Sequence, residues 1–355
     1  MLKYSLGLDI SAKEIHCCLS VIDSQQKVRV LSTRKIANSK VGFGELKAWF
    51  VRGCKNKEIP LVICMEATGV YYENCALYLF KDGFTVSVIL PNKAKKYLQA
   101  CGQKSKNDSI DSKGLAQMGA EKSLDPWCPM DEYFYQLREL TRHNQSLVET
   151  KTMIANRFHA AKLGMHQNKE VLKQLKQLIV MIDKQLDISA EQIASYIASN
   201  TEVAGKVANI CQVKGLGIKT VATVLAETNG FLLFNNSRQL VSFSGYDVVE
   251  NQSGNRIGKT RISKKGNSHI RRILYMPALV TVTRKTKPFL DLYNRVYSKS
   301  GIKMKGYVAV QKKLLVIIYT LWKKNVSFIE NYSLINDSGE EELLINEKEM
   351  VMTVG

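Results

Sequence analysis

The chain has 355 residues, 45% of them hydrophobic, and 51 Lys and Arg against 32 Asp and Glu, which gives a formal net charge of +19. That apolar fraction supports packed cores in two or three domains and excludes a disordered chain, while the charge favours a polyanionic partner, above all nucleic acid. Because no apolar run reaches the roughly 18 residues of a membrane span, and Asp9 and Lys13 interrupt the N-terminus, we expect a cytoplasmic protein with no membrane partner.

The eight cysteines contain no Cys-x-x-Cys pair, and none is spaced with a histidine as a zinc site requires. Several lie in apolar strand-like runs such as LVICMEA. We predict reduced thiols in the core rather than disulfides or zinc ligands.

Residues 1–125 alternate strand and helix patterns. KYSLGLDIS is an apolar strand with an aspartate near its end, and IHCCLSVID and KVRVLSTRKI form a hairpin across the turn DSQQ. The helical patterns FGELKAWFVRG and YYENCALYLFKDG flank the buried strand PLVICMEATG, and TVSVILP is a further buried strand. The order predicts an α/β domain with one mixed central sheet.

Four carboxylates lie where such a sheet can gather them. Asp9 and Glu66 stand at strand ends, beyond which functional groups collect in α/β sheets, and Asp108 and Asp111 share one face of a helix start. Each alone is typical of a cap or turn residue. Together they would repel each other unless cations neutralised them, and Mg²⁺ favours carboxylates combined with substrate phosphates. The four acids therefore predict a Mg²⁺ or Mn²⁺ site suited to phosphoryl transfer.

Residues 126–205 carry a helical repeat whose spacing alternates between three and four. Its positions are Leu137, Leu140, Asn144, Leu147, Lys151, Ile154, Phe158, Ala161, Met165, Asn168, Leu172, Leu175, Ile179, Ile182 and Leu186. A glycine in KLGMHQNKE would break this seam into a hairpin. Two interpretations stay open: an antiparallel helix pair within one subunit, or a coiled coil that pairs subunits.

Residues 206–330 are predicted to be mainly α-helical and basic, since Asn251 to Lys324 contain 18 Lys and Arg against one acid, Asp291. VKGLGIKTVATVLAE resembles a helix-hairpin-helix, in which Gly215, Gly217 and Lys219 would bind a backbone phosphate at a helix N-terminus. A plain inter-helix turn is the alternative. The charge reverses in SGEEELLINEKE, so residues 331–355 are expected to form an acidic, solvated tail.

The stretch ENQSGNRIGKTRISKKGNSHIRR combines glycines with cations. By itself it indicates a flexible phosphate-binding loop in which Ser253 is a turn residue. The cations predicted to bind nucleic-acid backbone are Arg256, Lys259, Arg261, Lys264, Lys265, Arg271 and Arg272.

LGLDIS, MEATGVY and KNDSIDSKGLA resemble the DEDD-type, RuvC/RNase H-like domain of the insertion-sequence one-ten family of transposases, which includes Piv/MooV DNA invertases and bridge-RNA-guided recombinases. The resemblance resumes in VKGLGIKTVATVLAE and FSGYDVVENQSGNRIGKTRISKKGNSHIRRIL. It implies catalytic, metal-binding acids at Asp9, Glu66, Asp108 and Asp111, and a catalytic serine at Ser253 in a mainly α-helical C-terminal catalytic domain. GYDVVE stands where the family has a glycine-proline turn.

The resemblance also implies an activity: cutting and rejoining DNA through a covalent phosphoserine. Donor and target DNA and a guide RNA would be the partners of a homodimer that assembles to a tetramer. The sequence offers Ser253 no good base, because Glu250 is merely near and His269 is sixteen residues away, so activation is expected from the metal site. Two alternatives remain, a RuvC-like metal-dependent structure-selective nuclease and a non-catalytic nucleic-acid-binding protein.

Overall fold

The computed structural model describes residues 1–102, 107–250, 252–253, 256–258, 260–326 and 328; for 252, 253, 256 and 257 only the backbone is described. The chain forms two compact units, Met1–Pro129 and a second that begins at Met130. The predicted acidic tail and Lys259 lie outside the described residues.

Over its described residues, the N-terminal unit is a five-stranded sheet with four helices. Its elements are β1 (Lys3–Ile10), β2 (Glu14–Ile22), β3 (Val28–Ala37), α1 (Lys40–Gly53), β4 (Leu61–Glu66), α2 (Glu73–Lys81), β5 (Thr85–Ile89), α3 (Pro91–Ala100) and α4 (Asp108–Glu121). The strand order is β3-β2-β1-β4-β5, antiparallel from β3 to β1 and parallel from β1 to β5. The predicted α/β domain with a mixed central sheet is confirmed.

Alternation along β1 separates the two faces of this sheet. Leu6, Leu8 and Ile10 pack into the apolar core that α1 and α2 cover, with Phe43 and Leu79 among its members. The opposite face of β1, β2 and β4 lies against α4. The side chains that alternate with the apolar set therefore project toward α4.

The second unit is mainly helical, as predicted. Its helices are α5 (Glu132–Leu163), α6 (Lys169–Ala198), α7 (Thr201–Cys211), α8 (Ile218–Glu227), α9 (Ser237–Phe243), α10 (Ser268–Ile273), α11 (Tyr275–Thr283), α12 (Lys287–Ser300) and α13 (Lys303–Lys324). Short strands β6 (Val248–Val249), β7 (Gln252–Ser253), β8 (Arg256–Ile257) and β9 (Arg261–Ile262) lie between α9 and α10. The start of α5 and the end of α6 share one apolar core with helices α7 to α13.

Helices α5 and α6 form an antiparallel hairpin within one chain. Helix α5 ends at Leu163 before Gly164, and Asn168 caps α6 by accepting hydrogen bonds from the Glu170 and Val171 amides. Asn144 is buried inside the hairpin and donates from Nδ2 to Ser189 Oγ at 3.2 Å. Most of the predicted seam thus faces the interior of an intramolecular helix pair, but Met165, which is 94% exposed, and Asn168 lie in the connection between the helices, so the seam was wrong there. Subunit pairing through a coiled coil stays a prediction.

Two further expectations concern the membrane and the thiols. In the described part of the chain, no helix combines the length and apolar content of a membrane span. The cysteines are free, and Cys17, Cys18, Cys64 and Cys75 are buried as predicted. Cys101 and Cys128 are exposed, so the expectation of core thiols was wrong for these two.

Candidate active site

The strand register brings Asp9 and Glu66 to the same level of the sheet. Leu8 of β1 is paired with Met65 of β4, and Asp9 and Glu66 are the next residues on these parallel strands. Asp9 alternates with Leu8, which faces the core under α1 and α2, so its carboxylate projects to the α4 side. Glu66 stands in the same relation to Met65. The two predicted strand-end acids therefore share one face.

The first turn of α4 supplies the other two acids. Asn107 caps the helix by accepting a hydrogen bond from the Ile110 amide at 2.8 Å, so α4 begins at Asp108 and has Asp111 in its first turn. The helix dipole favours carboxylates at this end. The predicted helix start with both aspartates is confirmed.

Glycine on β1 allows α4 to lie directly on the sheet. A Cβ atom at Gly7 would stand 2.2 Å from both the Ala116 nitrogen and the Ser112 carbonyl oxygen. Gly119 of α4 has the same role farther along, because its Cβ would stand 2.4 Å from Ser5 Oγ. This close approach sets the distance between the start of α4 and Asp9.

Gly7→Ala is expected to destabilise the protein by at least about 1–3 kcal/mol, the usual range for overpacking, because the new methyl group meets helix backbone that cannot rotate away. It should also shift Asp108 and Asp111 relative to Asp9, since α4 carries both aspartates. Urea unfolding checks the first effect. Gly44→Ala in α1 is the matched control, because its Cβ meets no atom within 4 Å and should leave stability unchanged or slightly raised. Equal unfolding midpoints for the two variants would contradict the argument.

The four carboxylates share one electrostatic field. The pKa of Asp9 is raised to about 6, first by burial and then by the negative charges of Asp108, Asp111 and Glu66, against an opposing effect of His16. Carboxylates repel in this way only when they are near one another. The structure therefore places Glu66, Asp108 and Asp111 within electrostatic reach of Asp9.

The chemistry of this donor set fits a hard divalent cation. No three His, Cys, Asp or Glu side chains of the described residues are already arranged around a common ion position. The four carboxylates nevertheless offer the oxygen ligands that Mg²⁺ and Mn²⁺ bind, and a cation would relieve the repulsion that adds to the effect of burial on the pKa of Asp9. Asp9, Glu66, Asp108 and Asp111 would hold the ion after side-chain rotations.

His16 belongs to this site and was missed by the sequence reasoning. It lies opposite Asp9 in the β1–β2 register, and its Nε2 is 3.6 Å from Asp108 Oδ2. The predicted hairpin pairs IHCCLSVID with KVRVLSTRKI and gives Asp9 no partner, whereas in the structure β2 also pairs with β1. A residue directly opposite Asp9 on β2 shares its face.

The segment that contains Ser253 is a pair of nested ribbons. Strand β6 pairs with β9, and inside them β7 pairs with β8, so that Ser253 and Arg256 are Cα partners. The side chains of these two residues are not among those described. Paired strands thus occur where the glycines predicted a flexible loop.

Two of the predicted phosphate-binding cations have partners inside the protein. Arg271 donates from Nη1 to the carbonyl oxygens of Ser244, Gly266 and Asn267 at 2.9, 3.2 and 3.3 Å, so it fastens the backbone on both sides of the ribbons. Arg272 forms an ion pair with Glu149 of α5. Arg261, Lys264 and Lys265 are exposed. DNA binding by these cations stays a prediction.

A buried carboxylate connects the start of α10 to α5. Glu227 accepts two hydrogen bonds from Arg142, at 2.7 and 2.9 Å, and one from Asn267 Nδ2 at 2.6 Å. Nearby, His269 Nδ1 lies 2.7 Å from Gln145 Oε1. His269, the distant histidine considered beside Ser253, is therefore bonded to α5.

The turn between α7 and α8 joins two helices, an arrangement shared by the predicted helix-hairpin-helix and by a plain inter-helix turn. Gly215 has a φ of +95°, and a Cβ there would stand 2.7 Å from Thr281 Cγ2, so both conformation and packing require glycine. Gly217 is the N-cap of α8, and Gly217 and Lys219 are exposed. The helix N-terminus is open to solvent, and phosphate binding there stays a prediction.

Known proteins match both units. A DEDD-type transposase model of IS110 elements matches residues 6–166, which include all four acids, and a model described as "Transposase IS116/IS110/IS902 family" matches residues 207–294, which include Ser253. The pilin gene-inverting protein of Moraxella bovis is 25% identical over 92% of this chain and 98% of its own length. A probable family 20 transposase of Pseudomonas aeruginosa is 21% identical over 67% of this chain and 76% of its own.

Among solved structures, Thermus thermophilus RuvC in complex with a Holliday junction substrate is 14% identical, with a TM-score of 0.27 over 35% of this chain and 99% of that one. The family matches, together with the four acids of the N-terminal unit, define a DEDD-type transposase. The chain belongs to the IS110 family of transposases and DNA invertases.

Proposed function

We propose that the protein is the DNA recombinase of an insertion sequence, which cuts and rejoins donor and target DNA through a phosphoserine at Ser253. The observation that carries the proposal is the placement of three carboxylates, Glu66, Asp108 and Asp111, near Asp9, where they add to the effect of burial in raising its pKa, in a transposase-family chain whose second matched segment contains Ser253. Asp9, Glu66, Asp108 and Asp111 would hold Mg²⁺ or Mn²⁺. When bound, such an ion stabilises the charge that develops on the phosphoryl oxygens.

The proposed chemistry exchanges one phosphate ester for another. The Ser253 hydroxyl oxygen forms a bond to phosphorus and loses its proton, while the bond from phosphorus to one sugar oxygen breaks and that oxygen gains a proton. A sugar hydroxyl of another strand then reverses the exchange and releases the serine. Each step breaks one phosphoester bond and forms another, so the number of these bonds stays the same and rejoining requires no ATP.

The charge of the chain supports the proposed partners. A net charge of +19 favours DNA and a guide RNA alike, and the exposed cations Arg261, Lys264 and Lys265 adjoin the ribbons that contain Ser253. We further propose a homodimer that assembles to a tetramer on DNA. Apolar side chains on the outside of the helical hairpin, such as Val180 and Met181 at 49% and 54% exposure, support contact with a second copy.

A metal-dependent nuclease is the second candidate. All four acids belong to the unit Met1–Pro129, so hydrolysis at these residues would not need Ser253. In that case the C-terminal unit would only bind nucleic acid.

Ser253→Ala distinguishes the two candidates. With DNA that contains the ends of the insertion sequence, RNA transcribed from it, and Mg²⁺, the wild type should form a protein–DNA species that survives denaturing electrophoresis. Ser253→Ala should form none, because no other group would become covalently joined to DNA. Ser242→Ala, at an exposed serine of the same unit, should behave as the wild type.

The other outcomes identify the alternatives. Cleavage by Ser253→Ala without a covalent species would overturn the serine mechanism in favour of the nuclease. A wild-type protein that binds this DNA but leaves it intact would support the non-catalytic alternative.

A further inference from the structure

The segment that contains Ser253 begins and ends at one place, where residues 243–247 lie against residues 263–267. Three backbone amides of the second stretch donate to carbonyl oxygens of the first: Ser263 to Asp247 at 2.8 Å, Lys264 to Gly245 at 3.2 Å and Asn267 to Phe243 at 2.8 Å. The Ser263 hydroxyl also donates to Asp247 Oδ1 at 2.8 Å. We call these two stretches the ribbon base, because strands β6 to β9 lie between them.

The backbone of the ribbon base is packed too closely to admit further side chains. Gly245 has a φ of +70°, and a Cβ there would stand 2.8 Å from Arg271 Nη1. A Cβ at Gly266 would stand 2.6 Å from the Gly245 nitrogen. Tyr246 is 1% exposed, and its hydroxyl donates to Gln311 of α13 at 2.9 Å. The ribbon base is therefore fixed to the core of its own unit.

Arg271 lies across the ribbon base and binds both of its stretches. Its Nη1 donates to the Ser244 carbonyl oxygen of the first stretch at 2.9 Å, and to the Gly266 and Asn267 carbonyl oxygens of the second at 3.2 and 3.3 Å. Arg271 belongs to α10, so the guanidinium also joins the ribbon base to that helix. Backbone carbonyls, rather than a carboxylate, thus hold this half-buried cation in place.

The direction of the ribbons at their base determines where Ser253 stands. Ser253 follows Gly245 by eight residues, a span of at most about 29 Å. Over half of that span, a rotation of the ribbons by about 5° moves the serine by about 1 Å, and a misplacement of about 1 Å can cost about 10²-fold in rate. A contact at the ribbon base can therefore act on the serine through the backbone alone.

We propose that Arg271 is a positioning residue, which fixes the direction of the ribbons and hence the place of Ser253 by binding the carbonyl oxygens of the ribbon base. The role rests on the proposed function, and it differs from the phosphate binding predicted for Arg271 from the sequence. Arg271 would act on the reaction without contact to DNA.

Arg271→Gln removes the charge and the planar fork, and Arg238→Gln is its matched control, since Arg238 is an exposed residue of α9, the helix that leads into the ribbon base. Formation of the covalent species is measured in single turnovers over a range of DNA concentrations, with RNA and Mg²⁺. Arg271→Gln should lower the rate at saturating DNA by about 10²-fold. Both variants should share the wild type's DNA concentration at half-maximal rate. A wild-type rate for Arg271→Gln at saturating DNA would overturn the proposal.

DNA binding without divalent cation separates positioning from phosphate contact. Loss of one phosphate contact reduces the slope of log affinity against log salt by about 0.9 for duplex DNA. The slope for Arg271→Gln should equal that for Arg238→Gln, because the guanidinium contacts carbonyls. A reduced slope, with a rate that recovers at saturating DNA, would make Arg271 a phosphate ligand and overturn the positioning role.

Two further variants act on the same ribbon base. Arg271→Lys keeps a cationic donor, so its rate at saturating DNA should lie between those of Arg271→Gln and the wild type. Ser263→Ala removes the hydrogen bond to Asp247 Oδ1, and it should lower the same rate without a change in slope even if Arg271→Gln shows no cooperative urea unfolding and so has not folded. Wild-type rates for both Arg271→Lys and Ser263→Ala would contradict the proposal.

The same variants distinguish this role from the function on which it rests. If the wild type forms the covalent species, Ser253→Ala forms none, and Arg271→Gln matches Arg238→Gln, the positioning role is lost and the recombinase stands. If Ser253→Ala still forms the species, the serine chemistry is lost. Hydrogen exchange of the Lys264 and Asn267 amides, which donate across the ribbon base, then still shows whether Arg271 holds it. Exchange should be faster in Arg271→Gln than in Arg238→Gln, and equal exchange would contradict the contact's importance.

Discussion

Asp9→Asn is expected to reduce DNA cleavage by about 10³-fold or more, while it makes the metal-free protein more stable. The loss of activity follows from the proposed function, in which Asp9 would hold an ion that contributes several kcal/mol to the transition state, at about 1.36 kcal/mol per tenfold. The gain in stability follows from the pKa of Asp9, which burial and the neighbouring carboxylates raise from 3.8 to about 6. An amide has the same shape and no charge to repel.

The sign of the pH dependence follows from linkage. Below pH 3.8 Asp9 is protonated in the folded and unfolded chains alike, so it contributes no difference. Between 3.8 and about 6 the unfolded chain releases the proton while the folded chain retains it, so the stability of the wild type falls as pH rises through this window. Above about pH 6 Asp9 is ionised in both the folded and the unfolded chain, so its cost to the free energy of unfolding no longer changes with pH. Because the carboxyl group is partly exposed, solvent screening reduces the cost to about 1 kcal/mol.

Urea unfolding of wild type and Asp9→Asn at pH 4 and pH 7.5, in EDTA and in Mg²⁺, measures these effects. The variant should be more stable at pH 7.5 and equal at pH 4, and Mg²⁺ should stabilise the wild type more than the variant. Asp125→Asn, at an exposed aspartate of the same unit, is the control that should change neither stability nor cleavage. An Asp9→Asn variant that cleaves normally, or whose stability follows the wild type at both pH values, would contradict the role assigned to the four acids.

The sheet and its acids were predictable because strand and helix patterns are local. The apolar strand patterns predict that Asp9 and Glu66 lie at strand ends, and Asn107 followed by two aspartates predicts a helix start. The approach of α4 to β1 was not predictable, since one glycine in an apolar strand does not say which helix needs the space. Gly7 acquires its meaning only from Ala116, which the sequence places more than a hundred residues away.

The helical hairpin of α5 and α6 also shows that a local pattern does not identify the partner that packs against it. A repeat of threes and fours identifies the inward face of a helix but not the helix that covers it, so both interpretations of the seam satisfied the pattern. Asn168 fits the repeat, yet it is the N-cap of α6. Arg271 is one of the seven cations predicted to bind nucleic-acid backbone. Only the folded structure, in which Ser244 lies beside Arg271, shows that this arginine binds backbone carbonyls.

Arg142→Ala is expected to destabilise the C-terminal unit by about 1–3 kcal/mol, the usual cost of leaving a buried polar group without its partner, because Glu227 is buried although 42% of the Arg142 side chain is exposed. The side chain of Glu227 is 2% exposed, and burial acts to raise its pKa. Hydrogen bonds from Arg142 and Asn267 outweigh burial and hold the pKa below its usual range. Without Arg142 the carboxylate would stay buried with one donor fewer, or would take up a proton at a cost in free energy.

The pH dependence separates this mechanism from a simple loss of packing. A lowered pKa contributes stability above the pKa of the unfolded chain, and that contribution disappears as pH falls through the folded value. The gap between wild type and Arg142→Ala should therefore be wide at pH 7 and narrow in acid. The double variant Arg142→Ala/Glu227→Gln should recover part of the loss, because no unpaired charge remains buried.

Arg157→Ala is the matched control, since Arg157 is an exposed residue of the same helix α5 and its removal should cost less than about 0.5 kcal/mol. Equal unfolding midpoints for Arg142→Ala and Arg157→Ala would contradict the argument.

Loss of the contact between Arg142 and Glu227 should also slow the proposed reaction. Asn267 holds Glu227 and caps α10 directly after the ribbons that contain Ser253, so a displaced Glu227 loosens one anchor of that segment. Formation of the covalent species should then fall in Arg142→Ala at temperatures where the protein is still folded, and recover with the double variant in proportion to its regained stability.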